Sequence, residues 1–88
     1  MIRRRVIVHG QVQGVFFRET ARRRAQTAGV TGWVANRPDG TVEGVFEGDR
    51  DAVARLVDFC REGPRGAHVD WVDVVAEEPE GVTGFEIR

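Results

Sequence analysis

The stretch RRRVIVHGQVQGVFFRETARRRAQTA, residues 3–28, contains the signals that decide how this chain folds. Its first part, Arg3 to His9, carries the β-branched run Val6 to Val8 and ends at Gly10, which is typical of a well-buried strand. Its last part, Phe17 to Ala28, places aromatic and small residues at helical spacing, with arginines on the outer face and a glycine directly after it. We therefore predict a strand, a short loop and a helix in immediate succession.

Beyond this first helix, the sequence predicts a hairpin and a second helix. Thr31 to Ala35 and Thr41 to Glu47 are short runs rich in β-branched and aromatic residues, and the turn-forming segment Asn36 to Gly40 separates them. Asp49 or Asp51 can then cap a second helix. The apolar stripe of that helix consists of Val53, Leu56, Val57 and Cys60.

The last part of the chain predicts two further strands and completes the fold class. Val69 to Ala76 alternates in part between apolar and acidic residues, and Phe85 and Ile87 alternate in a short terminal strand. The order β-α-β-β-α-β plus a terminal strand is typical of an α+β fold, the ferredoxin-like split-βαβ sandwich, in which two helices cover one face of a mixed, mainly antiparallel sheet. At this length we expect one domain, residues 1–88.

This topology brings two distant parts of the sequence to one edge of the sheet. A right-handed crossover makes the first and second strands parallel, with the third strand antiparallel between them, so their carboxyl ends lie on the same edge. Two strand spacings, roughly 9 to 10 Å, then separate the loop after the first strand from Asn36 at the end of the second. We expect that loop and Asn36 to contact one small ligand from opposite sides.

The loop between the first strand and the first helix has features of an anion site. Gly10 and Gly14 permit a sharp turn, and no Ser, Thr, Asp or Asn stands ready to cap the helix, so its first amide N–H groups need another acceptor. Arg18, in the first helical turn, can add bidentate hydrogen bonds to a phosphoryl group. From these residues alone an ordinary structural turn, with Arg18 as a surface residue whose stem covers the core, stays open as well.

Two segments make a more specific comparison possible. GQVQGVFFR at 10–18 and GWVANRPDGTVEGVFEG at 32–48 both resemble the signature segments of the acylphosphatase family, and the resemblance extends over nearly the whole chain. It implies a small metal-free hydrolase of the carboxyl-phosphate bond, in which Arg18 binds the phosphoryl group and Asn36 orients the attacking water. It also implies a phosphate cradle made by the backbone amides of Gln13, Gly14, Val15, Phe16, Phe17 and Arg18.

The chemistry of acyl phosphates agrees with so sparse a site. The leaving carboxylate has a conjugate acid with a pKa of about 4, so its departure needs no proton donor at neutral pH. The loose transition state of phosphoryl transfer chiefly needs positioning and charge stabilisation, which amides and one arginine can supply. The carboxamide of Asn36 can accept from and donate to a water, and so fix its line of attack. We expect an acyl phosphate as the small-molecule substrate, and inorganic phosphate as product and competitive inhibitor.

Composition and charge narrow the remaining possibilities. The net charge is -1, yet residues 3–24 hold seven arginines and one acid, which makes that part the natural place for an anionic ligand. Taken alone, such a run of charges is more typical of a solvated helix face, and this alternative stays open. One cysteine and two scattered histidines give neither an internal disulfide nor a usual metal-ligand set, so we expect no metal and no cofactor.

No apolar run is long enough to cross a bilayer and no leader is evident. We expect a cytoplasmic monomer that binds neither membrane nor nucleic acid.

Three alternatives compete with acyl phosphate hydrolysis. A cysteine phosphatase needs a nucleophilic thiolate, but Cys60 lies on an apolar helical stripe, which predicts burial, and Arg65 follows it one position too early. An RNA-binding module can have this fold, but it stacks bases on aromatics of the central strands, where only Phe46 is available. A domain that keeps the anion site as a regulatory binder also stays open.

The remaining conspicuous side chains are predicted to be structural. His9 and His68 have no evident nucleophile beside them and are expected in the sheet or on the surface. The large aromatics are expected in the core or on a face of the sheet. They are Trp33, Phe46, Phe59, Trp71 and Phe85.

Overall fold

A computed structural model describes residues 1–88, and it contains seven regular elements in the predicted order. They are β1 (Ile2–Gln11), α1 (Phe17–Ala28), β2 (Thr31–Asn36), β3 (Val42–Gly48), α2 (Arg50–Glu62), β4 (His68–Glu77) and β5 (Phe85–Ile87). Each strand begins and ends within two residues of its predicted bounds. The residues that flank the helices also match the prediction. Gly29 follows α1 as its C-cap residue, and Asp49 precedes α2 as its N-cap residue.

The five strands form one mixed sheet in the order β4-β1-β3-β2-β5. β1 pairs with β3 and β4, and β2 pairs with β3, all in antiparallel register, whereas β2 and β5 are parallel. Both helices pack on one face of this sheet. The predicted ferredoxin-like α+β fold is therefore confirmed.

The hydrophobic core lies between the sheet and the two helices. Val6 and Val8 of β1 point into it, as do Phe17 and Ala21 of α1, and all four are at least 98% buried. The stripe predicted for α2, Val53, Leu56, Val57 and Cys60, is buried too, together with Ala52 and Phe59. Burial of these side chains is the main stabilising term of the fold, at about 1.5–3 kcal/mol for each large one.

The end of the first strand differs from the prediction, because β1 continues through Gly10 to Gln11 instead of ending there. The pairing of β1 with β4 shifts register between His9 and Gly10, which marks a β-bulge. Gly10 has φ +132, and a Cβ at this position would lie 2.1 Å from the carbonyl oxygen of His68. The glycine thus permits the close approach of two strands at the bulge, and the turn into α1 begins after Gln11.

The outer face of the sheet carries a network of ion pairs. The side chain of Arg3 contacts Glu47 and Glu77, and that of Arg5 contacts Glu43 and Glu77. Phe46, the aromatic that the central strands offered for base stacking, is instead fully buried on the inner face. The central strands therefore present charged groups on the open face, which does not favour the RNA-binding alternative.

Glu47 anchors the segment between β4 and β5 to this outer face. Its carboxylate, which is buried, accepts hydrogen bonds from the backbone amides of Glu80 and Gly81, both at 2.8 Å. Burial raises the pKa of the Glu47 carboxyl, but these amides and Arg3 lower it by more, so it stays below its usual value. The buried carboxylate is thus kept ionised by its partners.

The aromatic side chains follow the prediction on both faces. Phe46, Phe59 and Phe85 are buried in the core. Trp71 is 56% exposed and stacks on the ring of His9, with 4.2 Å between the centroids. Trp33 lies between the guanidinium groups of two arginines, Arg5 and Arg88.

No helix of this chain has the length and apolar character needed to span a bilayer.

Candidate active site

The register of the sheet places the end of β2 beside the end of β1. Val42 of β3 pairs with Val8 on one side and with Asn36 on the other. Because β1 and β2 are both antiparallel to β3, they are parallel to each other, as predicted. Asn36 therefore lies at the edge of the sheet from which the loop after β1 departs.

This loop enters α1 through two residues with positive φ. Gly14 has φ 75 and Phe16 has φ 61, and Phe16 is the only non-glycine residue of the chain in that region. As predicted, no side chain caps the helix. The backbone N–H groups of residues 13–18 donate to no protein acceptor. The next amide that does is that of Thr20, which donates to the carbonyl of Phe16. The loop thus presents a run of unpaired donors at a helix N-terminus, the arrangement that favours an anion.

A cavity of about 330 Å³ lies between the loop, the start of α1 and the ends of β2 and β5. It is lined by Val12, Gly14, Phe16, Phe17, Arg18, Glu19, Asn36 and Ile87. Both side chains predicted to take part in the chemistry, Arg18 and Asn36, are therefore on the wall of one cavity. Neither Gln13 nor Val15, the other members of the predicted cradle, lines it; the side chain of Val15 packs against the core.

The polar groups of Arg18 and Asn36 are free for a ligand. The guanidinium of Arg18 makes no hydrogen bond or ion pair within the protein, although this side chain is half-buried. The carboxamide of Asn36 is exposed and has no protein partner either, since only its backbone is engaged, in the pairing of β2 with β3. An arginine and an amide that stabilise no other part of the fold are available to bind an anion and a water.

Gln13 has a role that the sequence did not reveal. Its side-chain amide donates to the carbonyl oxygens of Arg37, at 2.8 Å, and Thr41, at 3.0 Å, in the turn that follows Asn36. The same turn is closed by Asp39, which accepts hydrogen bonds from the amide and hydroxyl of Thr41. These bonds hold the pKa of Asp39 below its usual value. The loop and the turn are therefore connected through side-chain hydrogen bonds as well as through the sheet.

Glu19 is a second member of the site that the sequence analysis did not single out. It lines the cavity next to Arg18 and accepts two hydrogen bonds from Arg22, at 2.8 and 3.0 Å. These bonds lower the pKa of its carboxyl, which keeps it ionised. Its position one residue after Arg18, in the first turn of a helix, was the only available signal, and this position is a common one for an acid in any helix.

The other candidate groups lie away from this cavity. Cys60 is buried in the core, and burial raises the pKa of its thiol to about 12, as expected for an inert cysteine. His9 contacts Asp73 on the outer face of the sheet, and His68 contacts Asp70. A larger groove of about 420 Å³ between the helices contains Arg23, Arg24 and Arg55, but no unpaired backbone donors. The cavity at Arg18 alone combines a cation, free amides and a carboxamide.

The comparisons with known proteins agree with this geometry. The acylphosphatase family model matches residues 4–87. This chain belongs to the acylphosphatase family. An acylphosphatase from Gloeobacter violaceus is 55% identical to it over 86 residues, which cover 98% of this chain and 92% of the relative. An acylphosphatase from Rubrobacter xylanophilus is 57% identical over 86 residues, 96% of this chain and 77% of that protein.

The solved structures extend the likeness to the fold. The crystal structure of acylphosphatase from Bacillus subtilis matches with a TM-score of 0.95 at 36% identity, and the alignment covers 100% of this chain and 99% of that one. The match therefore includes the acylphosphatase fold from end to end. The predicted family and the predicted class of enzyme, an acylphosphatase, are both confirmed.

Proposed function

We propose that this acylphosphatase hydrolyses acyl phosphates to a carboxylate and inorganic phosphate by direct attack of water on phosphorus, without a metal ion or cofactor. The observation that carries the proposal is the cavity in which Arg18 and Asn36 face one space beside a run of backbone amides that lack protein acceptors. The family supports the overall reaction. The division of labour among these groups is argued below from their chemistry.

The phosphoryl group binds at the loop and the helix N-terminus. The amides of residues 13–18 donate to its non-bridging oxygens, and the partial positive charge at the start of α1 adds to the attraction. The planar guanidinium of Arg18 contacts two of the same oxygens. In the loose transition state these donors stabilise charge on the equatorial oxygens. They therefore lower the activation free energy of the reaction.

Asn36 positions the nucleophile. A carboxamide has no basicity to remove a proton, but its oxygen accepts from a water and its NH₂ donates to a water or to the phosphoryl group. A water held on the far side of the phosphorus from the leaving carboxylate is in line for displacement. A new bond forms from the water oxygen to phosphorus as the bond from phosphorus to the carboxylate oxygen breaks. The attacking oxygen keeps one of its two protons as the new P–OH group, and the other proton passes to a phosphate oxygen or to bulk solvent.

No general acid is needed because the leaving group is already a good one. The departing carboxylate is stable as an anion at neutral pH. None of the residues that line the cavity is an uncommitted titratable acid: Glu19 is ionised and paired with Arg22. The same arrangement gives little help to an unactivated phosphate monoester, whose alkoxide leaving group requires protonation.

Isotope labelling tests the reaction and shows which atom the water attacks, phosphorus or the carbonyl carbon. Benzoyl phosphate is hydrolysed by the wild-type chain in ¹⁸O-labelled water containing excess EDTA, and the two products are analysed by mass spectrometry. The expected result is full activity in EDTA with the label in inorganic phosphate, and competitive inhibition by added phosphate. Label in benzoate indicates attack at the carbonyl carbon and contradicts the proposal, as does loss of turnover in EDTA that is restored by a metal ion.

A further inference from the structure

Two large hydrophobic side chains on the wall of this cavity are left open to solvent. Phe16 is 80% exposed and Ile87 is 37% exposed. Six large hydrophobic residues of the chain are well exposed, and these two of them line the cavity that contains Arg18 and Asn36. An apolar surface directly beside a polar site points to an apolar part of the ligand.

The backbone of Phe16 supports this interpretation independently. Its φ of 61 is unfavourable for a residue with a Cβ, whereas glycine would adopt it without strain. Folding gains nothing from an exposed phenyl ring that is also held in a strained conformation. A side chain that costs stability in two ways at the edge of an active site is typical of a functional position.

Both apolar residues are held on ordered backbone. The carbonyl of Phe16 accepts hydrogen bonds from the amide and the hydroxyl of Thr20, at 3.0 and 2.8 Å. Ile87 pairs with Val34 in the parallel pairing of β5 with β2, two residues before Asn36 on that strand. The backbone positions from which the two side chains project are therefore fixed before any substrate binds, which lowers part of the entropic cost of binding an acyl group there.

Glu19 adds no net negative charge to this wall. It lines the same cavity, but its carboxylate pairs with Arg22 at 2.8 Å and with Arg23 at 3.7 Å. These two guanidinium groups offset its charge. The cavity thus combines donors for one phosphoryl group with an apolar wall.

We infer that Phe16 and Ile87 form a subsite for the acyl group, and that this enzyme prefers acyl phosphates whose acyl group is apolar, such as an aryl or branched alkyl group. The inference rests on the proposed function, since it assigns the other end of the same substrate. It names a preference among acyl phosphates and changes nothing in the reaction. The specificity comes from contacts that the phosphoryl group does not make.

The test compares substrates that share the phosphoryl group. We would measure kcat/KM for acetyl and benzoyl phosphate with wild type, Phe16→Ala and Ile87→Ala. The control is Trp71→Ala, which removes another exposed aromatic side chain that does not line the cavity. In the ratio of two substrates any effect of a substitution on phosphate binding cancels, so the ratio reports the acyl end alone.

The expected result is a change of this ratio in the cavity variants only. Phe16→Ala should lower the benzoyl-to-acetyl ratio by about tenfold and Ile87→Ala by roughly threefold, on the scale of one or two lost apolar contacts. Trp71→Ala should leave this ratio unchanged. Turnover with ratios that stay within twofold of wild type in both apolar variants overturns the subsite but leaves hydrolysis standing. No turnover of either substrate by wild type overturns both.

Discussion

The side-chain amide of Gln13 donates a hydrogen bond of 2.8 Å to the backbone carbonyl of Arg37, the residue that directly follows Asn36. A second bond from the same nitrogen, of 3.0 Å, reaches the carbonyl of Thr41 at the other end of the turn. Gln13 begins the loop whose amides we assign to the phosphoryl group. Together with the sheet, this side chain therefore helps to fix the distance between the groups proposed to hold phosphorus and the group proposed to hold water.

Replacing Gln13 should impair turnover more than phosphate binding. Gln13→Met removes both hydrogen bonds at similar volume, so the turn and Asn36 can shift relative to the loop. Because displacements of about 1 Å can cost on the order of a hundredfold in rate, we expect kcat to fall ten- to a hundredfold. The inhibition constant of inorganic phosphate should change by less than about threefold. Steady-state kinetics with added phosphate measure both quantities.

The matched control for this prediction is Gln11→Met. Gln11 is an exposed glutamine two positions earlier that makes no side-chain hydrogen bond within the protein. It should leave kcat and phosphate inhibition unchanged. Equal losses of kcat and phosphate affinity in Gln13→Met would show a collapsed cradle instead of a misplaced Asn36, and would contradict the positioning role.

Arg18 should be required for phosphate binding as well as for turnover. Arg18→Ala removes the only cation that lines the cavity, and loss of an arginine that stabilises a phosphoryl transition state costs on the order of 10³ in kcat/KM. Arg18→Lys should recover only a small part, because an ammonium group cannot contact two oxygens in one plane. Isothermal titration with inorganic phosphate and kinetics with benzoyl phosphate give the two readouts.

Arg65→Ala provides the control for charge alone. Arg65 is exposed and forms no ion pair, so its removal changes the net charge equally without touching the cavity. If Arg65→Ala weakened phosphate binding as much as Arg18→Ala, general electrostatic attraction would explain the effect and the direct contact would be wrong.

The buried carboxylate of Glu47 should make stability depend on pH in the acid range. Its pKa is lower in the folded chain than in the unfolded one, so its contribution is fully present above the unfolded value of about 4.3 and is lost as the pH falls through the folded value. Glu47→Ala leaves the amides of Glu80 and Gly81 without this acceptor, whereas Arg3 keeps its contact with Glu77 at 2.9 Å. We expect it to lower the free energy of unfolding by about 1–3 kcal/mol at neutral pH.

Denaturant titrations from pH 3 to pH 7 measure this contribution. Glu47→Gln, which keeps the shape but cannot ionise, should show a shallower loss of stability below pH 4.5 than wild type does. Parallel curves for wild type and Glu47→Gln would contradict the assignment of this acid-range slope to Glu47.

Cys60 should be unreactive in the native state. Burial raises the pKa of its thiol to about 12, so almost no thiolate is present at pH 8, and the side chain is not accessible to reagents. Alkylation by iodoacetamide should be at least about a hundredfold slower in the native chain than in urea, as mass spectrometry can show. Full activity in Cys60→Ala is also expected, and its loss would reopen the cysteine phosphatase alternative.

Much of the fold could be predicted from periodicity and turn residues. The β-branched run before Gly10, the helical spacing after Phe17 and the turn at Asn36 to Gly40 each specify a local conformation that packing preserves. The meeting of the loop with Asn36 also followed, because strand order and crossover handedness constrain which strand ends share an edge.

Features that depend on tertiary contacts could not be predicted in the same way. The bulge at Gly10 depends on how closely β4 approaches, and the hydrogen bonds of Gln13 depend on the conformation of a turn far along the chain. The positive φ of Phe16 contradicts the local preference of that residue. Glu47 could not be recognised as an anchor, because its partners are backbone amides more than thirty positions away. Sequence patterns record local preference, and these features arise from long-range contacts.

The separation of binding from turnover at Asn36 tests the central claim most directly. The measurement is kcat for benzoyl phosphate together with the dissociation constant of inorganic phosphate, for wild type, Asn36→Ala and the control Gln26→Ala, an exposed amide that does not line the cavity. We predict a fall in kcat of on the order of 10²–10³ for Asn36→Ala, with phosphate affinity within threefold of wild type and no change in the control. Unchanged kcat in Asn36→Ala, or a loss of phosphate affinity as large as the loss of kcat, would contradict the claim that this carboxamide positions the attacking water.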